Sequence, residues 1–118
     1  MKLSNKHFNL FKKLCQKNIN KLHLNHWKVY FDFKDTKEEH FGYCEWRLDG
    51  KSAKIVLNKV WDVDVPIKIK EQLKQTANHE CLELLLAPLT TYARQRDYIK
   101  EVYDKESHSV IRILEKLI

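Results

Sequence analysis

A chain of 118 residues, 43% hydrophobic and 32% charged, suits one domain (residues 1–118) around a single core, and its two Gly and two Pro argue against a disordered or linker-rich protein. No window approaches the roughly 18 apolar residues of a membrane span, the N-terminus lacks a secretory signal, and the three cysteines (Cys15, Cys44, Cys81) form no C-x-x-C pair, so the expectation is a cytoplasmic protein with no membrane partner, no disulfide framework and no cysteine zinc site. The net charge of +6 is uneven, with seven lysines and no acid in the first 31 residues; such a face can attract nucleic acid, but the solvated side of an amphipathic helix explains it more simply.

Residues 3–22 read as a first helix. Phe8, Phe11, Leu14, Cys15, Ile19 and Leu22 recur at helical spacing, with Lys12, Lys13, Lys17 and Lys21 between them. Residues 27–33 alternate apolar and polar positions as a half-buried strand does. Residues 41–48 and 53–57 are the next strand candidates, separated by Asp49-Gly50, a strong two-residue hairpin signal. Together they predict a short antiparallel meander. Seven aromatic residues fall in this region, among them Trp27, Tyr30, Phe41 and Trp46. Core packing explains them more simply than a base-stacking platform, while Trp61, in the connection that follows, is placed to line a cleft.

A second helix is expected over residues 66–86, opening at Pro66 and stopped by Pro88, because the residue before proline is biased away from helix. Ile69, Leu73, Ala77, Cys81, Leu84 and Leu85 would be its buried stripe. A connection then carries Arg94 and Arg96, and a last helix spans residues 100–117 with Val110, Ile111, Ile113, Leu114 and Leu117 as apolar positions. Helix, strands, helix, helix implies an α+β fold.

The second helix contains His79-Glu80-Cys81-Leu82-Glu83. Residues four apart share a helix face, so His79 and Glu83 can hold one ion with Glu80 beside it as proton acceptor. This is the layout of H-E-x-x-H with the second histidine replaced by glutamate, and a carboxylate is a competent zinc ligand. A solvated helix face produces the same five residues by chance, but the apolar run 84–86 argues against full exposure. A third ligand must come from elsewhere. Periodicity turns Glu106 inward, since it falls near the stripe of Tyr103, Val110, Ile113 and Leu117, with His108 off its centre. His7, His23 and His26 belong to the lysine-rich region, and His40 and Cys44 on one strand would stand too far apart to share a metal.

On the strand ending Ile55-Val56-Leu57-Asn58, on residues 79–89 and on residues 108–115, the chain resembles the small single-domain zincin-like metallopeptidases of bacteria and phages, from Trp27 onward. The resemblance implies a zincin-like fold, a Zn²⁺ cofactor and a peptide or protein substrate. It favours His108 over Glu106 as third ligand, so that His79, Glu83 and His108 keep a set of two histidines and one carboxylate. It implies that Glu80 is the catalytic base acting on a zinc-activated water, and that residues 53–58 offer the edge along which a substrate strand docks. Arg112 would orient a carboxylate or stabilise oxyanion charge, or else form a surface salt bridge. The alternative reading is an inactive zincin-fold binding module whose basic N-terminal face engages nucleic acid or a protein.

Overall fold

The computed structural model describes residues 1–63, 68–95 and 100–118, with the side chains of Lys100, Val102, Tyr103 and Glu106 excepted. Helix α1 (Asn5–Lys21) buries Phe11, Cys15, Asn18 and Ile19. Three of these are the expected apolar stripe, and Asn18 is satisfied by a 2.7 Å hydrogen bond from its Nδ2 to Asn78 Oδ1 on the second helix. At the helix start the Ser4 amide donates to His7 Nδ1 (3.0 Å), which commits His7 to capping. His23 and His26 are exposed.

Strands β1 (Lys28–Lys34), β2 (Gly42–Arg47) and β3 (Ser52–Asn58) form one sheet in the order β1-β3-β2. β2 and β3 make the expected antiparallel hairpin. Its connection has four residues, 48–51, with positive φ at Gly50 (77°) and Lys51 (51°). The antiparallel meander, however, is not what forms, because β1 pairs parallel to the far edge of β3. The reason lies in β3 itself. Ile55, Val56 and Leu57 are all fully buried, and a continuous apolar run of this kind suits a central strand covered on both faces. The half-buried β1 and β2 take the edges. This corrects the docking edge as well: residues 53–58 are paired on both sides, so no substrate strand can add there.

Residues 35–41 must cross the end of β3 to join β1 to β2, and Asn58 holds them there. Its buried side chain donates from Nδ2 to the carbonyls of Glu38 (3.2 Å) and His40 (2.7 Å). Its Oδ1 accepts from the amides of Thr36 (3.2 Å) and Val60 (3.3 Å). Asn58→Ala removes four bonds, three of them to the crossover, and is expected to cost about 3 kcal/mol in urea unfolding; a loss under 0.5 kcal/mol would mean the crossover is held by other contacts. Gly42, where β2 begins, has no substitute, since a Cβ there would stand 2.5 Å from the Val56 carbonyl oxygen.

Helix α2 (Ile69–Gln95) runs through Pro88, where a stop was expected. Proline in a helix interior forfeits one backbone bond, at roughly 3 kcal/mol. Packing offsets it: Leu84, Ala87, Thr90 and Ala93 are buried around that turn, and Trp46 Nε1 on β2 donates to Thr91 Oγ1 (2.8 Å). Arg94 is thus in the last turn of α2, while Pro66 and Arg96 lie outside the described residues. Leu85, expected in the buried stripe, is exposed.

Helix α3 (Lys100–Glu115) presents a different face from the one its apolar pattern predicts. Ile111 is buried, but Val110, Ile113 and Leu117 are 47%, 59% and 72% exposed. Among the described residues no helix is long and apolar enough to cross a membrane. The core joins Phe11, Cys15 and Ile19 of α1, Ala53, Ile55 and Leu57 of β3, and Leu73, Ala77, Cys81, Leu84 and Ala87 of α2, with Trp61 beneath them.

Candidate metal centre

α2 packs against α1, α3 and β2, and the site lies where it meets α3. His79 and Glu83 sit one turn apart on α2, as the i, i+4 spacing requires. His108 on α3 faces them, its ring stacked on that of His79 at 5.7 Å between centroids. One ligand atom from each of His79, Glu83 and His108 lies within 4.8 Å of the other two. These three residues could hold a metal ion. The side chain of Glu106, the periodicity-based alternative to His108, lies outside what the structure describes.

The orientation of the imidazoles is informative. His79 Nδ1 donates to Glu115 Oε1 at 2.7 Å. His108 Nδ1 donates to the Asp104 carbonyl oxygen at 2.8 Å, one turn back on α3. Carboxylates and carbonyls only accept, so each partner fixes its ring with the proton on Nδ1. Both Nε2 atoms are then left facing Glu83 Oε1, at 3.5 Å from His79 and 3.3 Å from His108. Metal-ligating histidines are held in this way, with the second ring nitrogen on an outer acceptor.

Charge accumulates here. Glu83 holds the His79 imidazole up to about pKa 9 against the opposing effect of burial, with Glu80 and Glu115 adding to it. Burial pushes the Glu83 carboxyl up, but hydrogen bonding with His79 and Glu80 outweighs it and the net shift is down. Glu80 goes the other way. Burial, and then the negative charge of Glu83, drive it well above the usual carboxylate range. It is 4% exposed, and its Oε1 is buried with no hydrogen-bond partner. Two carboxylates three residues apart are thereby driven in opposite directions, which favours the neutral form of Glu80 beside the charged form of Glu83.

Glu80, His79 and Glu115 line a cavity of about 360 Å³ whose far wall is Glu39, His40, Phe41 and Gly42. A second cavity of about 410 Å³ shares Glu39, His40 and Phe41 and continues to Trp61 and Asp62. Trp61 therefore does line a cleft. His40 belongs to the crossover before β2 and not to a strand; it lies on this cleft and outside the metal cluster. Arg112 is exposed and lines neither cavity. All three cysteines are free, and burial raises the thiol pKa of Cys15 and Cys44, which leaves them unreactive.

Sequence reasoning did not single out Glu115. Its signal was present: it follows His108 by seven residues, two helical turns along the same face. Glu115→Gln keeps the shape but weakens the acceptor, and is expected to lower metal affinity by roughly 10- to 100-fold. Competition with a chelator measures this, and an unchanged melting temperature of the metal-free variant distinguishes it from general unfolding. Unchanged affinity would reduce Glu115 to a surface partner.

No family model, no curated protein and no solved structure matches this chain. The α+β fold and the His/Glu/His cluster accordingly stand on the residues and their geometry alone.

Proposed function

We propose that the chain is a zinc-dependent peptide hydrolase of the zincin-like kind, with Glu80 as general base. The observation that carries this reading is the pair of imidazoles whose Nδ1 atoms are both occupied, leaving both Nε2 atoms directed at one Glu83 oxygen. Two imidazole nitrogens and one carboxylate are the donor set suited to a catalytic zinc with one open position. Zinc held there would supply Lewis acidity, making a water acidic near neutral pH and polarising a peptide carbonyl.

The protein's own groups supply the rest. His79, Glu83 and His108 hold the ion, while Glu115 and the Asp104 carbonyl fix the rings. Glu80 takes the proton of the attacking water and returns it to the departing amine. In the metal-free protein the charge on Glu83 helps keep Glu80 neutral. Burial is the larger cause of that shift, so a cation held beside Glu80 would favour its ionised form by direct attraction as well as by neutralising Glu83. β2 is the edge strand that packs on α2, and Gly42 at its start lines the cavity, so a substrate strand would add along β2.

The test is cleavage of a quenched fluorescent peptide mixture by the full chain. Activity should be lost on chelation and restored by about one equivalent of zinc. No cleavage by protein shown to carry zinc would leave the second reading, an inactive binding module. Exposed Lys13 and Lys17 on α1 favour that version. It predicts polyanion binding that weakens with salt and with neutralisation of Lys12, Lys13 and Lys17.

A further inference from the structure

The second cavity, between Trp61 and the crossover before β2, has no part in holding a metal. Its chemistry is nonetheless specific. Its walls are Phe41, His40 and Trp61, with the carboxylates of Glu39 and Asp62 at its rim. Among the described residues no lysine or arginine lines this cavity or the one beside His79. That is unexpected in a chain with 22 basic residues and a net charge of +6. The protein places its cations elsewhere and keeps this cleft acidic, as a site for a cationic ligand would be.

Carboxylates at a rim do not by themselves make a site, but two buried polar atoms point to a ligand. Trp61 is 1% exposed, and its indole Nε1 has no hydrogen-bond partner. An indole N–H only donates, and a buried donor left unpaired is costly. His40 Nε2 is likewise buried and unpaired, while its Nδ1 faces Glu38 Oε2 at 3.5 Å. Trp61 is held firmly in place: its amide donates to the Met1 carbonyl (2.8 Å), and Phe41 packs edge-on against it at 4.9 Å. A site with a donor, an imidazole nitrogen, an aromatic wall and two carboxylates matches a ligand that carries a carbonyl and a cation together.

We propose that this cavity is a specificity subsite for a basic side chain, arginine before lysine, of a peptide whose backbone passes Glu80 and His79. The stem lies along Phe41, the guanidinium meets Glu39 and Asp62, and a peptide carbonyl accepts from Trp61 Nε1 once a small movement of the cavity wall uncovers that atom, which is closed to solvent in the free protein. Arginine is preferred because its planar fork pairs with carboxylates and stacks on aromatic faces. This rests on the peptide-hydrolase reading and names its substrate class.

The experiment uses the full chain carrying Glu80→Gln, with one equivalent of zinc, so that binding is read without turnover. The probes are acetyl-Gly-Ala-Xaa-Ala-amide peptides with arginine, lysine, leucine or glutamate at Xaa. The arginine peptide should bind roughly five- to tenfold more tightly than the leucine peptide, the glutamate peptide more weakly than either. It should also shift the Trp61 indole N–H resonance while leaving that of Trp46, already bonded to Thr91, in place. Adding E39Q and D62N, both at exposed positions, should erase the preference without changing zinc stoichiometry. Equal affinity for the leucine peptide, an unmoved Trp61 resonance, or a preference that survives E39Q/D62N overturns the subsite. The two readings fail separately: arginine preference without hydrolysis by the unmutated chain sinks only the hydrolase, and hydrolysis indifferent to arginine sinks only the subsite.

Discussion

Zinc added to the metal-free protein is expected to raise its melting temperature, and His108→Ala to remove most of that rise. The unfolded chain has no preformed triad, so ligand binding energy becomes folding energy. At zinc about 1,000 times Kd the gain is roughly 4 kcal/mol, or about 15 °C for a domain of this size. His108 is 44% exposed, so its truncation costs the metal-free fold little and the loss falls on the zinc-dependent part. The pH dependence has a definite sign. His79 is raised from its ordinary 6.5 to about 9, chiefly by Glu83. Its protonated contacts with Glu83 and Glu115 therefore stabilise the metal-free fold fully below 6.5, and that contribution is lost as pH rises through 9. Zinc must displace this proton. Apparent affinity should fall about tenfold for each unit of acidification below that value, and the melting shift should shrink between pH 8 and pH 6. A zinc-induced rise of equal size in His108→Ala would remove His108 from the ligand set.

Glu80→Gln should leave zinc bound and lower kcat by about 10²- to 10⁴-fold, the usual contribution of a general base. The substitution is close to isosteric. Because burial and Glu83 both favour the neutral form of the Glu80 carboxyl in the metal-free protein, the neutral amide suits the same buried position, and stability should change little. Measuring zinc content and kcat on the same preparation separates the two roles. Hydrolysis at the original rate would rule Glu80 out as the base, and loss of zinc would show that it supports the ligands instead.

Much of the local structure was legible in residue order. The stripe Phe11, Cys15 and Ile19 marked α1, the alternation from Trp27 to Phe33 marked β1, and Asp49-Gly50 marked the β2–β3 hairpin. Each is a signal between near neighbours. Pairing across the sheet is different. Nothing near β1 says that its partner is β3, because that choice is made by the apolar run at residues 55–57 seeking the middle of the sheet. Pro88 misled for a related reason. Its local preference is to end a helix, and only the packing around Leu84, Ala87 and Thr91 outweighs it.

His79, Glu80 and Glu83 share one helix, so the sequence by itself determined their spacing, their common face and their suitability for a cation. The partners from α3 were another matter. An apolar stripe predicts burial only if the core is what the helix faces, and α3 turns His108 and Glu115 inward while Val110, Ile113 and Leu117 stay exposed. The two adjoining cavities, which share Glu39, His40 and Phe41, likewise unite residues up to 76 positions apart, from Glu39 to Glu115. Contacts of that range depend on how whole elements dock. Tertiary packing alone decided them, because burial energy is shared over the entire core and no single segment encodes it.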